Sequence, residues 1–298
     1  MGTAPHITPW TLADLPPQGG RTVLVTGAGS GIGRETARAF AVAGARVVLA
    51  VRSADSARHA ADGMTGSTEV LPLDLADLSS VRRFADAWDR PLDILINNAG
   101  VAHMPLRRTV DGFELHLGTN HLGHFALTNL LLPRITDRVV TVASNAHKGA
   151  TLDLDDPNWE RRPYRAPAAY GQSKLANLLF TLELQRRLTD AGSPVRALAA
   201  HPGAANTGIN RHLGPAMSLV ASTIGRLVMR GGAAGALPTL FAATQDLPGA
   251  SYVGPGGRGG QRGHPVLVRR SAAAEDPDLA RELWTLSESL TSTRFPLS

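Results

Sequence analysis

Short apolar runs alternate with longer stretches of helical periodicity along most of this chain. Thr22 to Thr26, Val47 to Val51, Glu69 to Pro72, Ile94 to Asn97, Val139 to Ala143 and Val195 to Ala200 read as strands. Near-continuous apolar runs of this length, separated by helices, indicate parallel strands buried on both faces. The predicted fold is therefore α/β, a single Rossmann-like doubly wound parallel sheet with helices on both faces. Arg34 to Val42 and Leu175 to Arg187 carry apolar residues at helical spacing, and Asp278 to Leu290 reads as a helix with Leu279, Leu283, Leu286 and Leu290 on one face. Gly254 to Gly263, rich in Gly and Arg, reads as a loop before a short strand at Pro265 to Val268. Residues 1–20 are Pro- and Gly-rich with little periodicity and are expected to form an irregular arm. No repeat or linker divides 21–298, which is read as one domain.

Composition narrows the classes. At 298 residues, 43% hydrophobic and 18% charged, the chain can build a substantial core. It has no cysteine, which excludes disulfides, thiolate metal sites and a cysteine nucleophile. The N-terminus lacks a basic-then-apolar leader, and no run of about 18 apolar residues is long enough to span a bilayer. The expectation is a soluble, cytoplasmic protein without a membrane span. A net charge of +5 invites a nucleic-acid reading, but the arginines are scattered among acidic residues and no basic stretch is interleaved with aromatics. The basic balance suits a small anionic ligand instead.

A ligand of that kind has an evident place. Val23-Leu24-Val25-Thr26 runs straight into Gly27-Ala28-Gly29-Ser30-Gly31-Ile32-Gly33, and a helix follows. Glycines let the backbone turn sharply and approach a pyrophosphate, and the free N–H groups of the next helix face the anion. Gly27, Gly29, Ser30, Gly31, Ile32 and Gly33 are thus candidate dinucleotide contacts. Where an acidic residue would accept from the 2′-hydroxyl of NAD, Val51 stands, with Arg52 next and Arg58 further on. An uncharged residue followed by Arg accommodates a 2′-phosphate, so NADP(H) is favoured over NAD; the alternative for Arg52 is a solvated surface side chain. Asp74, followed by Leu75, either accepts from the adenine amine or takes part in helix capping, since Asp77-Leu78-Ser79-Ser80 already resembles a helix start.

The chain holds two lysines, Lys148 and Lys174, so arginine supplies 28 of its 30 basic residues. Lys174 stands four residues after Tyr170, which puts phenol and ammonium on one helix face. A cation beside a phenol favours the phenolate, so Tyr170 is expected to titrate below the usual value of about 10 and to exchange protons with a substrate.

Thr26 to Gly33, Asn97-Asn98-Ala99-Gly100 and Tyr170 to Lys174, in this order on a parallel α/β chain, resemble the short-chain dehydrogenase/reductase family. The stretches Asn120-His121-Leu122-Gly123-His124-Phe125 and Tyr170 to Asn177 are most similar to its retinol dehydrogenase and WW-domain oxidoreductase group and their bacterial relatives. The resemblance implies roles by position. Ser144 would hydrogen-bond the substrate carbonyl oxygen, Tyr170 would pass the proton, and Lys174 would hold the nicotinamide ribose and lower the tyrosine pKa. Asn120 would anchor a water relay. Asn98, Ala99 and Gly100 would line the cofactor floor, with Asn97 a structural hydrogen-bonder, and Pro202, Gly203 and Thr207 would hold the carboxamide. Many members place the serine much closer to the tyrosine, whereas Ser144 and Tyr170 are 26 apart, so Asp153 to Pro167 is read as an insertion beside the site.

The expected activity is NADP(H)-dependent transfer of a hydride to or from a carbonyl or alcohol, with a lipophilic substrate and a possible homo-oligomer. A catalytically silent NADPH-binding module is the rival class, and reduction of a carbon–carbon double bond or opening of a cyclic ether an enzymatic variant. His121, His124, His147 and His201 lack the spacing of a zinc motif, and no metal is expected. Ile209 to Arg230 is amphipathic and reads as a packed helix, a substrate lid or a membrane-surface element. Leu178, Leu179 and Leu182 serve equally well as core or as a contact with a second copy.

Overall fold

The computed structural model describes residues 9–53, 61, 63–203 and 232–297. Arg58, Thr207, the segment 209–230 and the first eight residues of the expected arm lie outside the described residues. Eight strands form one sheet in the order β3-β2-β1-β4-β5-β6-β7-β8. They are β1 (Thr22–Thr26), β2 (Arg46–Val51), β3 (Ser67–Pro72), β4 (Leu92–Asn97), β5 (Ile135–Val142), β6 (Arg196–Ala200), β7 (Tyr252–Pro255) and β8 (Pro265–Leu267). All neighbours pair parallel except β7 and β8. Strand order reverses between β1 and β4, and in sheets of this kind the crevice beyond the carboxyl ends at that reversal is where ligands bind.

Alternation along the strands splits the core in two. Leu24 and Val48 face a cluster with α2 (Leu78–Asp86), α4 (Gly123–Leu131), α5 (Ala166–Asp190) and α7 (Pro277–Thr291). Val23, Val25 and Leu49 face the other, with Phe40 of α1 (Gly31–Val42) and Leu240 of α6, the helix that includes 232–244. Sheet and helices therefore bury both faces, as the apolar runs require.

Several elements differ from the sequence expectation. Gly254 and Pro255 belong to β7 and not to a loop. Gly254 fits there because His201 packs where its side chain would be, and Pro255 closes the strand, where a missing donor costs little. α1 starts at Gly31, within the glycine stretch, and α5 starts at Ala166 with Pro167 in its first turn, so Tyr170 sits inside that helix. On α7 the buried stripe is Ala280, Leu283, Trp284, Ser287 and Thr291, rotated from the leucine face. The reason is the size of Trp284: its ring stacks on Phe180 at 5.7 Å and meets Phe125 edge-on at 4.8 Å. Leu178 and Leu179 are fully buried core residues, which removes them from any surface a second copy would meet. Among the described residues no helix is long and apolar enough to cross a membrane.

Candidate active site

Thr26, the last residue of β1, organises the floor of the crevice. Its Oγ1 accepts from the N–H groups of Asn98 and Ala99, both at 2.9 Å, while its carbonyl accepts from Asn98 Nδ2 at 2.8 Å. His124 Nδ1 lies 2.9 Å from the Asn120 carbonyl and therefore donates to it, leaving Nε2 as acceptor for the Thr26 hydroxyl at 2.9 Å. Burial pushes His124 down to about 4, so the ring is neutral near pH 7. One threonine and one histidine thus tie the glycine turn, the floor at Asn98 to Gly100 and Asn120 together. Asn97 is buried and donates to Thr128 Oγ1 at 2.8 Å.

The glycine turn packs too closely on the floor to admit side chains at Gly27 and Gly33. Gly27 takes a left-handed φ of 66°, and a Cβ there would lie 2.9 Å from Ala99 Cα. A Cβ at Gly33 would lie 2.6 Å from the Gly27 carbonyl oxygen and collide with Asn98. Ser30 precedes α1 without a side-chain cap, so the first N–H groups of the helix, through Gly31 and Ile32, keep their open face toward the crevice end. Val51, which ends β2, is buried, and Arg52 beyond it is exposed. Asp74 Oδ1 accepts from Ala76 N–H at 2.9 Å and Asp77 is the residue that caps α2, so the capping alternative for Asp74 reduces to a local turn. Leu75 is buried against Gly123.

Beyond the floor, α3 (Leu115–Leu117) runs into a π-helical turn (Gly118–Leu122) and then α4. Such turns recur at functional sites. This one carries Asn120, whose Oδ1 accepts from Val101 N–H at 2.8 Å and whose Nδ2 donates to Val101 O and Ser173 Oγ. A Cβ added at Gly100 would lie 3.1 Å from Asn120 Oδ1 and 3.6 Å from Lys174 Nζ, so those two side chains share one corner. Lys174, almost wholly buried, donates to Val142 O at 2.9 Å and its ammonium lies 5.8 Å from the Tyr170 ring centroid. Ser144, two residues past β5, lies close enough to the Tyr170 side chain to favour its phenolate, and its Oγ accepts from Ala146 N–H at 3.2 Å. Ser144, Tyr170, Lys174 and Asn120 therefore form one contiguous group. Pro202 and Gly203 follow β6, whose Ala200 pairs with Val142, and so stand at the same edge.

The expected direction of the tyrosine shift is corrected. Burial raises the Tyr170 phenol above its usual value, and only the Ser144 side chain opposes it. The ammonium is turned to Val142 O rather than to the phenol, and burial lowers Lys174 itself to about 8. Of the other histidines, burial takes His121 to about 3 beside Ser287 and His201 to about 4 beneath Gly254. Sequence reasoning missed Thr26, His103 and His116. The rings of His103 and His116 flank Tyr170 at 5.5 and 6.1 Å.

Comparison with known proteins places this geometry. The short chain dehydrogenase family profile matches residues 21–218. Human retinol dehydrogenase 13 is 41% identical over 299 aligned positions, covering 93% of this chain and 86% of its own. A crystal structure of an uncharacterized protein from Mycobacterium paratuberculosis superposes with a TM-score of 0.87 at 55% identity, covering 97% of this chain and all of that one. A structure from Beutenbergia cavernae described as an NAD(P)-dependent gluconate 5-dehydrogenase, solved with NADP, gives 0.57 at 31% identity over 77% of this chain and 92% of its own. These matches extend over most of the chain, which belongs to the short-chain dehydrogenase family of oxidoreductases, within its retinol dehydrogenase group.

Proposed function

We propose that this chain, as one domain over 21–298, transfers a hydride between NADP(H) and the carbonyl or alcohol group of a lipophilic small molecule. The observation that carries the reading is the contiguity of Ser144, Tyr170, Lys174 and Asn120 beside the glycine turn at the reversal of strand order. The residues fit a dinucleotide: Gly31, which begins α1 at a left-handed φ, has open space where a Cβ would stand, and the close packing of Gly27 and Gly33 on Ala99 and Asn98 holds the turn against the floor. Gly27 to Gly33 would hold the pyrophosphate, Arg52 the 2′-phosphate, and Asp74 with Leu75 the adenine. Asn98 to Gly100 and Lys174 would hold the nicotinamide ribose, and Pro202, Gly203 and Thr207 the carboxamide. The cofactor, when bound, supplies or takes up the hydride.

The chain's own part is charge and proton handling. Ser144 and Tyr170 would each donate to the substrate carbonyl oxygen and stabilise the negative charge it gains. A phenol raised by burial stays protonated near neutral pH, which suits Tyr170 to donate its proton to that oxygen in reduction; in oxidation it would act as the phenolate, the form that burial disfavours. Lys174, hydrogen-bonded to Val142 O and cornered with Asn120, would hold the nicotinamide ribose, with Asn120 anchoring the water relay beneath it. The lipophilic substrate class rests on similarity to proteins named for retinol.

Cofactor choice is tested at Arg52. In two-cofactor titrations, Arg52→Asp is expected to weaken NADPH binding by about tenfold or more and to improve NADH binding, because a charge-assisted bond is replaced by repulsion. An unchanged ratio of the two dissociation constants would show that Arg52 is only a solvated surface residue.

A further inference from the structure

Glu114 is fully buried, and nothing in the proposed reaction uses it. A buried carboxylate persists only where its oxygens are paired. Here Oε2 accepts from Leu117 N–H at 2.8 Å, while Oε1 lies 2.7 Å from His116 Nδ1 and 3.1 Å from Tyr164 Oη. Met104 N–H donates to His116 Nε2 at 3.2 Å, so the lone pair is on that nitrogen and the ring proton sits on Nδ1, pointed at Glu114. Tyr164 Oη also lies 3.0 Å from the Met104 carbonyl oxygen, so its single proton is shared between that oxygen and Glu114 Oε1. Met104 is thus gripped at both its N–H and its C=O, by His116 and by Tyr164, and both grips converge on Glu114.

What is gripped is a wall of the cleft. His103, immediately before Met104, takes a φ of 54°, a left-handed conformation uncommon for a residue with a side chain. Its ring is exposed and stands 5.5 Å from that of Tyr170, while His116 meets Tyr170 edge-on at 6.1 Å. The network joins three segments distant in sequence: the loop after β4, the start of α3, and the 153–167 stretch that carries Tyr164.

We infer that Glu114, His116 and Tyr164 form a positioning triad that fixes the His103–Met104 wall beside Tyr170 and thereby selects which carbonyl or alcohol compounds reach it. The inference rests on the proposed function for its substrate class. In it, His103 contacts substrate and the triad acts through His103. The 153–167 stretch then shapes selectivity as a strut, through one phenol, rather than by lining the cleft along its length.

Tyr164→Phe removes only the Oη atom and leaves the ring, and Glu114→Gln removes the charge at nearly constant shape. The full-length proteins are assayed with saturating NADPH on a graded series of linear and aryl aldehydes, and amide exchange at Met104 is followed by NMR. For Tyr164→Phe, KM is expected to rise about tenfold with kcat within about threefold, and preference along the series to flatten. NADPH affinity should hold within about twofold, and Met104 should exchange at least about tenfold faster. Glu114→Gln should move the same quantities in the same direction. Unchanged selectivity and unchanged Met104 exchange in Tyr164→Phe would overturn the inference, as would an equal loss of NADPH affinity, which marks a general loss of fold. Silence of the parent protein on every aldehyde would count against the proposed function alone, since Met104 exchange still decides whether the triad holds the wall.

Discussion

Replacing Tyr170 with Phe is expected to lower turnover by a factor on the order of 10²–10⁴ while NADPH affinity stays within about twofold. The substitution removes one oxygen and leaves the ring that packs between His103 and His116. The lost hydroxyl is both a donor to the developing oxyanion and the source of the proton, so transition-state stabilisation is lost and ground-state contacts remain. Phenol and ammonium are 5.8 Å apart measured to the ring centroid, and Lys174 is held by Val142 O, so the lysine keeps its place without the hydroxyl. Steady-state kinetics paired with an NADPH fluorescence titration reads both quantities. Near-full turnover by the variant would remove Tyr170 from the reaction.

Truncating Trp284 to Ala is expected to destabilise the fold by about 3–5 kcal/mol, read from urea unfolding followed by far-UV circular dichroism. The ring is 1% exposed. It stacks on Phe180, meets Phe125 and Phe295 edge-on, and is covered by the Arg187 guanidinium at 4.6 Å. Its Nε1–H donates to Glu288 at 2.9 Å, so the polar end is satisfied as well. Removing it opens a cavity between α4, α5 and α7. α5 carries Tyr170 and Lys174, and α7 braces it, so thermal loss of activity in this variant should follow loss of structure. A destabilisation below about 1 kcal/mol would mean that α7 is dispensable to the core.

The parallel sheet and the glycine turn were readable from sequence because both rest on local pattern. Period-two and continuous apolar runs mark strands, and Gly27 to Gly33, following a strand and opening a helix, marks the turn between them. The positions of Ser144, Tyr170 and Lys174 were readable through resemblance, and the structure brings them together across the insertion at 153–167. What was not readable is what depends on long-range contacts. Thr26 and His124 are 98 residues apart, and no spacing announces that one hydroxyl satisfies both the cofactor floor and a histidine. Glu114 and His116, two apart, cannot pair within a helix, and their contact exists because Glu114 is the cap of α3. Gly254 and Pro255 of β7 look like loop from composition alone, while the need for Gly at 254 comes from His201, just past the neighbouring β6. The tyrosine shift was misread for a related reason. Charge proximity is visible in sequence, whereas burial, which proves the larger influence on Tyr170, is visible only in the fold.

The central claim, hydride transfer assisted by Tyr170, is tested most directly by isotope. NADPH carrying deuterium at C4, prepared separately on each face, is incubated with the parent protein and lipophilic aldehydes, and the alcohol formed is analysed by mass spectrometry. The account predicts one deuterium on the carbinol carbon from one of the two cofactor preparations only, with product formation falling sharply in Tyr170→Phe. NADPH that binds tightly yet delivers no deuterium to any carbonyl offered would contradict it and identify the chain as a silent cofactor-binding module.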